Sequence, residues 1–369
     1  MLTPKSYGVE RRNMRLTDVF SARSVALNRT EVESNRIPYM GEAFFPNRKK
    51  MGIDLKWIKI HKGLGVALKP SNFDAMPTIR TREGIQMTKE EMPFFRESMI
   101  VKEQDMIDIM RVRESNDPYI DAVLESIYDD TNNLIDGADI SAERMRMQLL
   151  APASGELGIS IGTADNMIHN YDYDPDGTWK AKHYVELSSS TDKWDAPTTA
   201  KPLNDLRKGI QYLASIGVQA RYLLGNSTTF DLLLECDQIK DALVTIMGTA
   251  VGFLDTGTVE EVVRRRLGLE MMPYDKMFKD YDGTETKFYP DNYVTIIGSG
   301  QLGNTWYGTT PEERTLLTDP KVDVSVLDRG VAIAVKTDYG PPVLTSTTAS
   351  QIVLPSFEGM DSIYVIKVK

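Results

Sequence analysis

The chain has 369 residues, 41% hydrophobic and 8% aromatic, so it can bury a sizeable core and is not an intrinsically disordered chain. Its single cysteine, Cys236, excludes an intrachain disulfide framework and a cysteine-rich metal site, and it favours a reducing compartment. The formal net charge of −10 argues against dedicated DNA binding, because phosphates would be repelled over most of the surface.

The charge is unevenly distributed along the chain. Residues 1–113 hold 21 Lys and Arg against 14 Asp and Glu, a net of +7, and residues 114–369 hold 22 against 39, a net of −17. In a monomeric enzyme this asymmetry could be incidental. In a self-assembling subunit it would let the basic arm of one copy lie on the acidic body of another.

The first third of the chain lacks a targeting or membrane segment. Residues 1–20 mix basic and scattered apolar side chains, and no run of about eighteen apolar residues occurs anywhere. We therefore expect a soluble, unexported protein without membrane contact.

Residues 1–115 contain many glycines and prolines and few periodic segments, which predicts extended structure stabilised from outside its own domain. Alternation over Met51–Leu68 predicts strands on either side of a turn at Lys62-Gly63. A second paired segment is predicted from Thr78–Arg82 to Arg96–Val101. The exposed edges of such a loop would be adhesive in an assembly.

The clearest predicted element is a long helix. Asp117 is a suitable N-cap, Pro118 occupies the first helical position, and apolar residues follow helical spacing from Ile120 to Leu149. The pattern is interrupted near Gly137. We expect a scaffold helix of about 50 Å, with a pair of ordinary core helices broken at Gly137 as the alternative.

A polar, turn-rich segment follows at residues 165–199. Asp172–Gly177 resembles the first half of a calcium loop, but the twelfth position is His183 where a bidentate glutamate is needed. The flanks, with Pro175 inside, are not predicted to be helices. A reverse turn at the end of a hairpin is the preferred interpretation, and a calcium site is the alternative.

From residue 203 onward helices and strands mix, which predicts an α+β fold. The predicted elements are helices at Leu203–Ile216, at Phe230–Leu234 with Ser227 or Thr228 as cap, and at Glu260–Leu267, with strands at Arg221–Leu224, Val294–Ile297, Val331–Val335, Ile352–Leu354 and Ile363–Val368. Arg264–Arg266 on the third helix would be a solvated face, an intersubunit salt-bridge site or a nucleic-acid contact.

The spacing of Gly298, Gly300 and Gly303 after a predicted strand matches a dinucleotide-binding loop. That motif needs a helix next, whereas residues 304–311 contain Gly, Pro and β-branched residues. No motif of a hydrolase, metalloprotease or P-loop protein occurs, although 53 acidic residues leave room for a paired-carboxylate site. We expect no enzyme, no catalytic residue, no cofactor and no metal.

Phe288–Asn292, the short apolar strand, the glycine loop and Tyr307-Gly308 resemble the late part of the lambda-type, capsid protein E, major capsid proteins of tailed phages. Further pieces follow in the family's order: Ile79–Arg82 with Phe94–Val101 as an extended loop, residues 118–150 as a spine helix, Trp194 with Pro202–Ile216 and Phe230 at the start of an axial domain, and Pro341-Pro342 near the carboxyl end.

The resemblance implies an α+β fold of the Hong Kong 97 type. Its parts would be an N-terminal arm (1–50), an extended β loop with flanks (51–113), a peripheral domain with the spine helix (114–202), and an axial domain whose late strands return to the peripheral domain (203–369). The alternatives in other classes are a soluble α/β enzyme binding a nucleotide through Gly298–Gly303, and a tail tube or portal protein.

The function implied is self-assembly, as hexamers and pentamers, into the icosahedral head shell around phage double-stranded DNA. Scaffolding, portal and decoration proteins would be partners, and DNA would be contacted weakly and without specificity. Because no long acidic region precedes the arm, we expect a separate scaffolding protein. The protein would be found in the virion, and in the host cytoplasm during assembly.

The hypothesis for the assembly site pairs basic loop residues of one copy with acidic residues on the spine of its neighbour. The basic set is Lys59, Lys62, Arg80 and Arg82, and the acidic set is Asp129, Asp130 and Asp136. Pro290, Asp291 and Asn292 form the turn that resembles the family.

Overall fold

A computed structural model describes residues 38–58, 87–101, 119–162, 168–247, 255–280, 283–315, 322–326, 330–338, 340 and 344–369. The helices are α1 (Gly41–Phe44), α2 (Tyr119–Leu150), α3 (Thr178–His183), α4 (Pro202–Ser215), α5 (Ser227–Glu235), α6 (Asp237–Met247), α7 (Thr256–Leu267) and α8 (Pro311–Thr315).

The strands alternate with these helices and with irregular segments. They are β1 (Asn47–Lys49), β2 (Asp54–Ile58), β3 (Met87–Glu91), β4 (Phe94–Val101), β5 (Gly158–Gly162), β6 (Ile168–Asp172), β7 (Tyr184–Glu186), β8 (Ala220–Gly225), β9 (Glu270–Pro273), β10 (Met277–Lys279), β11 (Glu285–Lys287), β12 (Tyr293–Gly298), β13 (Asn304–Tyr307), β14 (Val322–Val326), β15 (Ala332–Asp338), β16 (Leu344–Ser356) and β17 (Ile363–Lys367).

A five-stranded sheet has the order β7-β17-β12-β8-β9, and helices α4, α5, α6 and α7 pack together on one of its faces. Successive residues of β12 point to opposite faces, as in any strand. Ile296 belongs to the core beneath these helices, whereas Ile297 belongs to a second core that α2 shares. The sheet is therefore covered on both faces.

A six-stranded sheet has the order β1-β13-β16-β15-β14, with β4 also paired to β16. The long strand β16 pairs with β15 through Leu344–Ser350 and with β4 through Thr345–Ile352. Since these spans overlap, β4 lies on the opposite edge of β16 from β15, in line with β13. The sheet thus joins segments from the beginning and the end of the chain.

Helix α2 is continuous over 32 residues, about 48 Å at 1.5 Å per residue. The predicted interruption at Gly137 is wrong, as is the alternative of two helices. The Gly137 carbonyl accepts a hydrogen bond from Ser141 Oγ (2.9 Å), and Ala138 and Ala142 are buried on either side of that serine. One interior glycine costs only about 1 kcal/mol, which the packing of so long a helix offsets. The predicted cap, Asp117, lies outside the described residues.

The predicted pairing near the start of the chain is only partly described. Strand β2 confirms the first half of the predicted Met51–Leu68 pair, and it pairs with β3, which the sequence did not indicate. The turn at Lys62-Gly63 and the segment Thr78–Arg82 lie outside the described residues. Strand β4 is present as predicted, and its described partner is β16, some 250 residues away. Local alternation carries no signal for so distant a partner.

The turn in Asp172–Gly177 forms, with Gly177 N donating to Asp174 O (2.9 Å). It does not join the two strands of a hairpin. The strands β5 and β6 pair with each other before the turn, and α3 begins directly after it. The prediction of non-helical flanks is therefore confirmed before the turn, where β6 lies, and wrong after it, where α3 lies. The carboxylate of Asp174 accepts hydrogen bonds from Trp179 N (3.0 Å) and Lys180 N (2.9 Å), which stabilises the first turn of α3.

The later predicted elements agree with the structure to within a few residues, except at one strand and one cap. Strand β16 begins eight residues before the predicted Ile352–Leu354. Helix α5 begins after Asn226, not after Ser227 or Thr228, and Asn226 Oδ1 accepts from Thr229 N (2.8 Å). All three residues are capping types, so the sequence alone did not select among them.

Candidate assembly site

The structure locates only part of the predicted assembly site. Lys59, Lys62, Arg80 and Arg82 lie outside the described residues. Asp129, Asp130 and Asp136 all lie on α2, and Asp136 is half-buried. Residues 129 and 136 are seven positions apart, about two helical turns, whereas residue 130 is rotated by about 100° from residue 129. The helix backbone thus places two of the three acids on a common side.

The turn at Pro290–Asn292 is a junction between three parts of the fold. Asp291 Oδ1 accepts hydrogen bonds from Asn226 Nδ2 (2.5 Å) and from Lys287 Nζ (2.7 Å). Asn292 has a φ of 67°, in the left-handed region that asparagine tolerates better than most residues. The family-like motif is therefore explained by turn geometry and by capping contacts.

The same junction continues into a buried network. Asn292 N donates to Thr229 Oγ1 (2.9 Å), and that hydroxyl donates to Asn226 Oδ1 (2.5 Å). Asn226 and Thr229 are fully buried. Val368 N donates to Asn292 O (2.9 Å), so the closing strand is tied to the same turn. The network orders α5, β12 and β17 relative to one another.

The glycine loop is required by packing, and the strand β13 follows it where a dinucleotide site needs a helix. A Cβ on Gly303 would lie 1.8 Å from Ser356 O, and one on Gly298 would lie 2.5 Å from Val218 Cγ1. Gly300 has a φ of 109°, a conformation that side chains other than glycine rarely adopt. The three glycines let the chain cross closely from one sheet to the other.

The segment Tyr39–Lys50 is anchored on the body of the subunit by aromatic side chains. Phe44 packs edge-on against Tyr222 and Phe45 against Phe357, with ring centroids 5.8 Å and 5.4 Å apart. Both phenylalanines are buried. The Nζ of Lys276 lies 3.5 Å above the ring of Tyr39. These aromatic contacts fix the position of the first described segment relative to the rest of the subunit.

A buried ion pair on α2 holds the same segment. Glu143 is 0% exposed and Arg146 is 1% exposed, with Arg146 Nη1 3.1 Å from Glu143 Oε2. Glu143 Oε1 accepts from Gly41 N (2.9 Å) and from Tyr274 OH (2.9 Å). Burial and the neighbouring Glu143 carboxylate raise the pKa of Tyr274, so this hydroxyl keeps its proton and donates.

Arg146 distributes its remaining donors over two strands. Its Nε donates to Thr305 Oγ1 (2.9 Å), and its Nη2 donates to Asn47 Oδ1 (2.8 Å) and to Tyr307 OH (3.2 Å). Glu42 Oε1 lies 3.7 Å from Nη1. One guanidinium thus links α2 to both β1 and β13.

Sequence reasoning missed this pair. The helical pattern named Ala142, Met145 and Leu149 as apolar positions and gave no role to Glu143 or Arg146. Two signals were available in the sequence. Met147 and Leu150 add apolar side chains on faces of the helix that Ala142, Met145 and Leu149 do not cover, and a helix that is apolar nearly all round is buried. Glu143 and Arg146 are three residues apart, a spacing at which two side chains of a helix can pair.

The arginine run on α7 is a surface feature of the subunit. Arg264, Arg265 and Arg266 are exposed, and the first two form ion pairs with Glu261 on the same helix. A hydrogen bond from Arg265 lowers the pKa of Glu261. The three interpretations of this run, a solvated face, an intersubunit salt bridge and a nucleic-acid contact, all need exposed arginines and stay predictions.

No described helix is long and apolar enough to cross a membrane. Among the residues that the structure describes, no group of three or more His, Cys, Asp and Glu side chains has the arrangement of a metal site.

Comparisons of structure show which fold this is. A protein described as the capsid protein of a prophage in Escherichia coli CFT073 matches with a TM-score of 0.57 and 13% identity, over 95% of this chain and 99% of that chain. A phage-related protein from Bordetella bronchiseptica RB50 matches with a TM-score of 0.53 and 13% identity, over 92% and 95%. The fold is of the Hong Kong 97 type, as the resemblance predicted.

Comparisons of sequence show the family. No curated protein matches the chain significantly. The family profile described as phage major capsid protein E matches residues 24–330. That span contains α2, the anchored segment and the Pro290–Asn292 turn. The chain therefore belongs to the phage major capsid protein E family, and its function is to form the capsid shell of a virion by self-assembly.

Proposed function

We propose that the subunits associate as hexamers and pentamers and close into an icosahedral head around phage double-stranded DNA. The observation that carries this proposal is the family match over residues 24–330, together with a fold in which the long helix α2 packs on β16 and β4 of the six-stranded sheet. The four-part division into arm, extended loop, peripheral domain and axial domain is part of the same proposal.

We further propose that neighbouring subunits contact each other through the basic loop and the acidic spine. Lys59, Lys62, Arg80 and Arg82 of one copy would face Asp129, Asp130 and Asp136 of the next. Support comes from the net of +7 in residues 1–113 against −17 in the remainder, and from the placement of the three acids on one helix. Opposite charges on facing surfaces favour the correct register of association.

Other partners follow from the proposed role. A separate scaffolding protein, a portal and a decoration protein would act on the shell, and DNA would be held by weak contact because the acidic body repels phosphates. Assembly would take place in the host cytoplasm, and the subunit would perform no catalysis.

Negative-stain electron microscopy of the protein, expressed alone and then with the neighbouring genes of its operon, tests the proposal. Closed shells of uniform diameter are expected in at least one condition. A helical tube or a twelvefold ring would favour a tail or portal role. A monodisperse monomer in both conditions would contradict the shell and return attention to an enzyme.

A further inference from the structure

We infer that the buried pair of Glu143 and Arg146 is a clamp that positions the segment Gly41–Lys49 for assembly. This segment lies in the chain between residues 1–37 and the predicted loop, so its placement fixes the points of the described chain next to both. The inference rests on the shell-forming function and adds to it the residues that hold the assembly segments in register.

The pair is fully engaged despite its burial. Glu143 accepts hydrogen bonds from Gly41 N, Tyr274 OH and Arg146, and Arg146 donates to Glu143, Asn47, Thr305 and Tyr307. Desolvating two charges is costly, and apolar residues of similar volume often stabilise a fold as well or better. A pair kept at this cost is therefore better explained by the geometry that it specifies than by the stability that it adds.

That geometry requires a guanidinium. The planar fork of arginine reaches acceptors on β1 and β13 and a carboxylate on its own helix at the same time, whereas lysine presents a single compact charge. The fit against α1 is equally tight. A Cβ on Gly41 would lie 2.5 Å from Glu143 Oε2 and 2.8 Å from Arg146 Cδ.

The clamp adds directional side-chain contacts to a segment that is otherwise held by two buried rings and by backbone carbonyls. Phe44 and Phe45 bury apolar rings, and their carbonyls accept from Leu302 N (3.0 Å) and Thr305 Oγ1 (2.9 Å). Strand β1 has only three residues and pairs in parallel with β13 from Thr305 to Tyr307, two of the residues that Arg146 contacts. Loss of the fork should therefore loosen the register of β1 while the body stays folded.

The test compares Arg146→Lys with Arg144→Lys in the full-length chain. Arg144 is two residues away on the same helix, its side chain is 34% exposed, and it pairs with Asp280 at 3.1 Å. Three quantities are measured: hydrogen exchange of the amides from residue 41 to residue 49, the thermal midpoint of the unassembled subunit, and the yield of uniform shells.

Arg146→Lys should lower exchange protection in that segment by about tenfold and the yield of uniform shells by at least about tenfold, with protection of β8, β12 and β17 unchanged. Arg144→Lys should change none of these. Uniform shells from Arg146→Lys at the wild-type yield would overturn the inference. So would a loss of protection that extends over the five-stranded sheet, since that result describes a general structural role.

Glu143→Gln provides a second variant if the lysine variant does not fold. Its amide oxygen can still accept from Gly41 N and Tyr274 OH, whereas its amide nitrogen cannot pair with Arg146. Loosening confined to residues 41–49 supports the clamp, and unchanged exchange contradicts it. Failure of the wild-type protein to form shells under any condition would count against the proposed function, and the exchange comparison would still decide the clamp.

Discussion

The five-stranded sheet faces its helices with apolar side chains such as Leu223, Ile296 and Ile366, whereas β16 of the six-stranded sheet buries a row of polar ones. The buried polar residues of β16 are Thr345, Thr347, Ser350, Gln351 and Ser356. Apolar burial gives stability without direction, and buried hydrogen bonds specify one arrangement.

The two sheets also differ in which parts of the chain supply their strands. The five-stranded sheet takes all five of its strands, and the helices α4 to α7 on one face, from residues after 183. The six-stranded sheet combines β1 and β4 with strands more than 200 residues later, through contacts such as Ser98 Oγ to Thr348 Oγ1 (2.7 Å) and the ion pair of Arg96 with the buried Glu312. Distant segments need specific contacts to find one register, and these are the segments next to the proposed assembly elements.

The largest expected effect separates assembly from folding. Arg80→Glu with Arg82→Glu should reduce the yield of shells by at least about tenfold, because like charges would then face the acidic spine. The thermal midpoint of the unassembled subunit should stay unchanged. Arg207→Glu with Lys208→Glu, on the exposed side of α4, is the matched control and should leave assembly intact. Normal shells from the loop variant would refute the pairing.

Gly303→Ala tests the crossing between the two sheets. The added Cβ would meet Ser356 O at 1.8 Å and Phe45 Cδ1 at 2.9 Å, so we expect the free energy of unfolding to fall by about 3 kcal/mol through overpacking. Urea denaturation of the unassembled subunit measures it. Gly257→Ala, with its nearest neighbour at 3.5 Å in the first turn of α7, should have little effect. Equal effects at both glycines would contradict the tight crossing.

Asn226→Ala tests the junction inside the five-stranded sheet. The variant loses the cap of α5 and the hydrogen bond to Asp291, which should cost about 2 kcal/mol of unfolding free energy. Thr228→Ala, on the exposed first turn of the same helix, is the control and should stay within about 0.5 kcal/mol of wild type. If the two variants are equally stable, the turn at Pro290–Asn292 is not held by this network.

The smallest effect concerns His183, between α3 and the five-stranded sheet. Burial lowers its pKa, with opposing contributions from the Ile363 carbonyl and from Asp361. The imidazole is stacked on Trp179, and its Nδ1 lies 2.8 Å from Ile363 O. The folded protein thus holds the ring neutral more readily than the unfolded chain does.

The sign of the pH effect follows from that direction. Above the unfolded pKa of about 6.5 both states are neutral and His183 makes no pH-dependent contribution. Below it the unfolded chain binds the proton first, so stability should fall as the pH decreases, by at most about 1.4 kcal/mol per pH unit. Comparing the wild-type protein with His183→Gln between pH 7 and pH 5 measures this slope. Identical slopes would show that His183 is not responsible.

The sequence predicted elements whose signals are local. Helix α4 and strands β8 and β12 follow from apolar spacing over a few turns or alternations. The continuity of α2 at Gly137 was missed because packing along the whole helix overrides a single unfavourable residue.

The strands and side chains next to the proposed assembly elements were harder to predict because their contacts are distant and polar. The pairing of β4 with β16 joins residues about 250 positions apart, which no alternation can indicate. Glu143 and Arg146 were not singled out, since charged residues are rarely buried unless paired. Their partners come from Gly41, Tyr274 and Thr305, which only the folded chain brings together. The loop lysines and arginines remain a prediction.

Electron cryo-microscopy of the assembled shell is the most direct test of this account. It should show the segment from residue 59 to residue 86 of one subunit lying across α2 of its neighbour, with Arg146 still joined to Asn47 and Thr305 in each copy. A shell in which that segment contacts only its own subunit, or in which Arg146 has left those partners, would contradict the account.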